Sequence, residues 1–96
     1  MKAYVVIRVK ASDPTLLKPY QQRAPSIIEK YNGKILARGG KTLMLEGSEE
    51  VGRIIIIEFP SLEKAEEFYY SNEYAEAKAL REDVASFEII ATEAIG

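Results

Sequence analysis

"RIIIIEFPSLEKAEEFYY", Arg53–Tyr70, contains the strand-to-helix step on which the reading of this chain turns. Its isoleucine run is β-branched and short, so Arg53–Phe59 reads as a strand. Pro60 ends that strand, Ser61 is placed to cap a helix, and "LEKAEEFYY" supplies the helix itself. Ser71-Asn72 breaks it and caps a second short helix, "EYAEAKALRED". Ser86 to Ala94 then reads as a strand.

Upstream, "AYVVIRVK" at Ala3–Lys10 is a strand, and Asp13-Pro14 marks a helix N-cap with proline at its first position. Leu16, Leu17, Tyr20, Ala24, Ile27, Ile28 and Tyr31 recur at helical spacing as far as Asn32-Gly33, a C-cap signal. Pro19 and Pro25 each remove a backbone donor, which predicts a kinked or two-piece helix. Lys34–Glu46 is a second strand region and "GSEEVG", Gly47–Gly52, a turn. The order βαββαβ favours an α+β, ferredoxin-like fold. This is one antiparallel four-stranded sheet with the helices on a single face and spatial order 4-1-3-2. Strands one and three are expected to be central and parallel.

All 96 residues fit one domain, and 47% hydrophobic content is that of a folded chain. A net charge of −2 argues against nucleic-acid binding, which needs a basic surface. Histidine and cysteine are absent, which removes imidazole acid–base chemistry, thiol nucleophiles and thiolate metal sites. Catalysis would draw on Asp, Glu, Lys, Arg or Tyr. Glu76 and Glu82 have no histidine at ligand spacing, so neither metal nor other cofactor is expected. Met1-Lys2-Ala3-Tyr4 runs straight into a strand that Arg8 interrupts, so no signal peptide and no membrane segment are expected. A cytoplasmic location is the expectation, consistent with the missing cysteines.

"KILARGGKTLMLEG", Lys34–Gly47, invites two functional readings. A phosphate-binding loop needs glycine five residues before Gly40, where Ile35 stands, and a helix after Thr42. An RGG box is repeated and disordered, whereas this copy is single and flanked by Ile, Leu and Met. Both readings fail. The two glycines read better as a bulge that bends the strand.

Strand alternation places Ala3, Val5, Ile7 and Val9 under the helices, with Ile35, Ala37, Ile55, Ile57, Phe59, Phe87, Ile89 and Ala91. The other face carries Tyr4, Val6, Arg8, Leu36, Arg38, Ile54, Ile56, Glu58, Glu88, Ile90 and Thr92. It is too apolar to face water alone, so a homodimer with two sheets face to face is expected. A bulge at Gly39-Gly40 would put Arg38 opposite Pro60 and diagonal to Glu58, with Arg8 nearby. Two arginines facing one glutamate would suit a small carboxylate or enolate, held by Arg38, with Glu58 as a candidate proton carrier. The same charges would equally serve as an ion pair that sets dimer geometry. Phe68 and one neighbouring tyrosine read as core, while Tyr20 and Tyr74 are candidates for hydroxyls at a cavity rim.

These residues resemble the family called domain of unknown function 1330, within the dimeric α/β-barrel superfamily. The likeness covers nearly the whole chain and rests on "ARGG" (37–40), "IEFPS" (57–61) and "YYSNEYAEAKALR" (69–81). Asp13-Pro14, Tyr20 and "YNGK" (31–34) add to it. It implies a homodimer with a cavity between sheet and helices, but no particular reaction. Related branches include cofactor-free monooxygenases, several of which rely on the histidine that this chain lacks. Two readings stand: a small-molecule enzyme or binding protein using Arg38 and Glu58 in a dimer cavity at the sheet face, with Arg8, Tyr20 and Tyr74 as further candidates, or a non-catalytic dimeric module that regulates or scaffolds.

Overall fold

A computed structural model describes residues 1–47 and 52–96; most of the expected Gly47–Gly52 turn lies outside the described residues. The strands are β1 (Ala3–Lys10), β2 (Lys34–Arg38), β3 (Arg53–Phe59) and β4 (Ser86–Glu93). The helices are α1 (Lys18–Lys30), α2 (Leu62–Tyr69) and α3 (Asn72–Ala79), with a single 3-10 turn at Pro14–Leu17 before α1. The strands form one sheet in the order β2-β3-β1-β4, the ferredoxin-like order expected.

Every neighbouring pair in that sheet is antiparallel, including β1 with β3. The expectation of a parallel central pair is therefore corrected. The α1 crossover returns β2 parallel to β1, and β3 reverses against β2, so β3 must also oppose β1.

Local signals start and stop α1 and α2 where the sequence places them, whereas α3 ends at Ala79, short of the expected Asp83, and runs into a turn. Asp13 accepts the Thr15 amide at 3.1 Å, opening the 3-10 turn. Pro19 falls in the first turn of α1, where its missing donor costs nothing, and Pro25 is carried inside the helix. The expected two-piece helix is thus a 3-10 turn running into a single α1. At the far end Asn32 takes a positive φ of 65°, while the Gly33 amide donates to Ile28 O at 2.8 Å and the Asn32 amide to Glu29 O at 2.9 Å. That pair of bonds is a Schellman cap. A Cβ on Gly33 would lie 2.6 Å from Ile28 Cγ2 and 2.8 Å from Phe59 Cε1. Gly33→Val should therefore cost about 1–3 kcal/mol by overpacking, read as a lower urea midpoint; an unchanged midpoint would mean the cap can shift at no cost.

Ser61 caps α2 by accepting the Lys64 amide. Ser71 closes α2 and opens α3: its hydroxyl donates to Phe68 O at 2.8 Å and accepts the Tyr74 amide at 3.1 Å. The core lies between the helices and one sheet face, where Val5, Ile7, Val9, Ile57 and Phe59 meet Leu17, Ala24, Ile27, Ile28, Phe68 and Tyr74. Among the described residues, no helix is long and apolar enough to cross a membrane.

The second strand departs most from expectation. β2 stops at Arg38, and Thr42–Glu46 is irregular, with Leu43 and Leu45 exposed. Ile35 pairs with Ile57 and Ala37 with Ile56, so Leu36 is an extra residue in the ladder. The bulge sits at Leu36 and not at the glycines. Because side chains alternate with period two, one extra residue exchanges the faces of everything after it. Ala37 turns to the open face with Ile56, and Arg38 turns to the helix face with Ile55.

Candidate functional site

The inverted end of β2 brings Arg38 to the edge of a cavity of about 370 Å³ between the sheet and α1. Its floor is apolar, formed by Ile7 and Val9 from β1, Ile55 and Ile57 from β3, and Phe87 from β4. Helix α1 forms the roof through Tyr20, Gln21, Ala24 and Ile28. The charged lining residues are Arg38 and Arg53, and no described acidic residue lines the space.

The two arginines come from adjacent strands. Arg38 lies opposite Ile55, and Arg53 lies two residues before Ile55 on the same side of β3. Gly39 holds them together. Its φ is +68°, its amide donates to Ile54 O at 2.9 Å, and a Cβ there would run into the Arg53 guanidinium. The Arg-Gly-Gly sequence thus ends a strand and leaves room for the Arg53 guanidinium over Gly39.

Glu58 and Arg8 are on the opposite face, away from this cavity. Glu58 is opposite Lys34 and Tyr4 and forms an ion pair with Lys2 at 3.6 Å. Arg8 pairs with Glu88 at 3.6 Å. The expected Arg38–Glu58 approach does not occur, because β2 pairs several residues earlier along β3 than a strand reaching Glu46 would allow.

Tyr20 lines the cavity, and its hydroxyl lies 2.7 Å from that of Tyr74. Tyr74 is 1% exposed, fixed by the Ser71 cap and packed on Phe68 with ring centroids 4.7 Å apart. It is core behind the cavity wall, not rim. Arg81 is 8% exposed. Its guanidinium carbon lies 3.7 Å from the Phe87 ring centroid, and Nη2 donates to the Tyr74 hydroxyl at 3.2 Å. No described carboxylate lies within ion-pair distance of Arg81, and its Nε has no described partner. Burying a charged group without an opposite charge beside it is costly, and the Tyr74 hydroxyl and the Phe87 ring face are the described partners that offset it.

Burial pushes the Tyr20 phenol well above its ordinary value, outweighing the opposing pull of Arg81. Above about pH 10 an unfolded tyrosine loses its proton while the folded Tyr20 keeps it. Stability from this group is complete below that pH and falls as pH rises beyond it. Melting curves from pH 8 to 11 should show an alkaline decline that is shallower in Tyr20→Phe. Equal slopes in both proteins would show that Tyr20 ionises freely.

Sequence reasoning missed Arg53 and Arg81. Arg53 was legible, since it shares the period-two phase of Ile55, Ile57 and Phe59. Arg81 carried no such signal: it follows α3, and only packing against Tyr74 and Phe87 buries it.

Open on one sheet face and covered by helices on the other, the molecule is of the ferredoxin-like class. The family described as "Domain of unknown function (DUF1330)" matches residues 2–95, and the chain belongs to that family. A protein of unknown function from Rhodopseudomonas palustris is similar at 22% identity and TM-score 0.75, over 99% of this chain and 83% of that one. SnoaB, a cofactor-independent oxygenase from Streptomyces nogalater, has 9% identity and TM-score 0.67, over 99% and 94%. A dimeric ferredoxin-like protein of unknown function from Jannaschia sp. has 9% identity and TM-score 0.68, over 98% and 100%. At these identities the likeness is one of fold. No curated protein matches the chain.

Proposed function

We propose that this protein is a homodimer that binds a small organic anion with an apolar body in the cavity beneath α1. The observation that carries the reading is a cavity with an apolar floor and two arginines from adjacent strands in its lining, with no described acid there. Its volume, about 370 Å³, lies near the lower end of the range for small-molecule sites, about 300–1,000 Å³. Arginine holds carboxylates and enolates through paired N–H donors, more strongly in an apolar setting than in water. Glu58 does not line the cavity, so the proton-carrying role considered for it has no part in this reading. Whether chemistry follows binding rests with Tyr20 and the arginines. The oxygenase activity of SnoaB belongs to that protein, and the shared fold makes dioxygen chemistry worth assaying once a ligand is known.

The dimer reading is supported by the open sheet face. Ala37, Ile56, Val6 and Ile90 lie in register as an apolar row across all four strands. The charged pairs Lys2–Glu58 and Arg8–Glu88 lie on either side of it. In this arrangement the outer charges order the interface while the cavity takes the ligand.

Titration with cyclohexanecarboxylate, followed by isoleucine methyl NMR, tests the site. Shifts are expected at Ile7, Ile55 and Ile57. Replacing both Arg38 and Arg53 by alanine should weaken binding at least tenfold, since each charge-assisted bond contributes about 1.5–3 kcal/mol. Affinity that survives the double substitution, or shifts confined to Ile54, Ile56 and Ile90, would sink the proposal.

A further inference from the structure

Tyr74 and Arg81 do not line the cavity, yet they determine what Tyr20 offers inside it. The Tyr74 hydroxyl has two described polar neighbours: Arg81 Nη2 at 3.2 Å and the Tyr20 hydroxyl at 2.7 Å. A guanidinium has donors only, so the Tyr74 oxygen must accept from Arg81. The Tyr74 proton then has one described acceptor, the Tyr20 oxygen. With the opposite polarity, Tyr20 would donate to Tyr74 and leave the Tyr74 proton buried with nothing to bond, the costlier arrangement. The bonds therefore run from Arg81 to Tyr74 to Tyr20. The Tyr20 proton is left uncommitted, on a ring that lines the cavity.

We infer that Tyr20 donates a hydrogen bond to an oxygen of the bound molecule, polarised by Arg81 through Tyr74. The ligand class narrows accordingly to oxo acids: a carboxylate held by Arg38 and Arg53, and a carbonyl or enolate oxygen directed to Tyr20. This rests on the cavity reading above and adds a second polar contact to it. Successive donors in one chain strengthen each other, and the Arg81 charge favours electron density on an oxygen accepting from Tyr20. Tyr74 and Arg81 are positioning residues, since neither touches the ligand.

Two measurements test it. In the first, the affinities of 4-oxocyclohexanecarboxylate and cyclohexanecarboxylate are compared; the arginines hold both acids, but only the first has a ketone for Tyr20. The oxo acid is expected to bind about three- to tenfold more tightly, as one added hydrogen bond allows. In Tyr20→Phe the ratio should fall to one, and in Tyr74→Phe it should shrink while Tyr20 remains. A ratio of one in the native protein, or a preference that survives Tyr20→Phe, overturns the inference while leaving the arginine site standing. Binding of neither acid overturns the cavity reading and the donor role with it. The second measurement needs no ligand: NMR of hydroxyl protons in the ¹³C-tyrosine-labelled protein should find the slowly exchanging proton on Tyr74, lost in Tyr20→Phe. A protected proton on Tyr20 would reverse the wiring and overturn the inference by itself.

Discussion

Phe59→Ala is expected to remove about 3–5 kcal/mol of stability, the range for deleting a fully buried aromatic ring. That is a large part of the 5–15 kcal/mol available to a domain of this kind. Phe59 is 0% exposed, and its ring lies 5.2 Å from that of Phe68. Its neighbours are poorly suited to fill the space it would leave. Ala3 stands opposite it on β1, and Gly33 approaches it from the end of α1. One has a methyl group and the other has no side chain, so relaxation into the void would have to move backbone. Urea unfolding should show a much lower midpoint at unchanged slope. A loss below about 2 kcal/mol, under the usual range for such truncations, would mean that the Phe68 and Tyr74 rings move in.

The second large effect is on assembly. Ile56→Lys should convert the proposed dimer into a protomer of 10.8 kDa. Ile56 is the middle of the apolar row, opposite Val6 in β1, which in turn faces Ile90 in β4. Ile90, at the end of the row, is 65% exposed in the single chain, and Val6, Ala37 and Ile56 are only partly buried. A lysine there would place two like charges near the centre of a two-fold interface, with no described acid in the row to pair them. In the protomer the same lysine can extend into water, so the fold should persist. Native mass spectrometry and circular dichroism read the two outcomes separately. A variant that stays dimeric would move the interface elsewhere, and a native protein that is monomeric would remove the sheet-face dimer altogether.

Much of the fold was legible in the sequence. The isoleucine run of β3, the Asp13, Ser61 and Ser71 caps, and the Asn32-Gly33 stop each act over a few residues, so a linear reading sees them whole. The core was nearly as clear, because Val5, Ile7, Val9, Ile57 and Phe59 follow an uninterrupted alternation. The direction of β1 against β3 was misjudged although topology contains it: a crossover followed by a reversal leaves no other choice.

The site was less legible, and particular residues show why. Arg38 and Tyr20 were singled out from the sequence and both line the cavity, but Arg38 reaches it from the face opposite to the one expected. Glu58 and Arg8 were grouped with Arg38 by alternation and are separated from it by the thickness of the sheet. Gly39-Gly40 drew attention as a bulge, yet Gly39 serves the Arg53 guanidinium and the bulge falls at Leu36, with no glycine or proline to announce it.

From the sequence alone came the order of elements, their caps, the apolar interior and the greasy open face, because each is a property of neighbours in the chain or of a regular period. Tertiary structure alone decided which face Arg38 takes, which guanidinium joins it, and that Arg81 is buried behind Tyr74. Those outcomes depend on strand register and on how the end of α3 packs against α1 and β4. A shift of one residue in register inverts every side chain beyond it, and no local pattern in this chain records that shift.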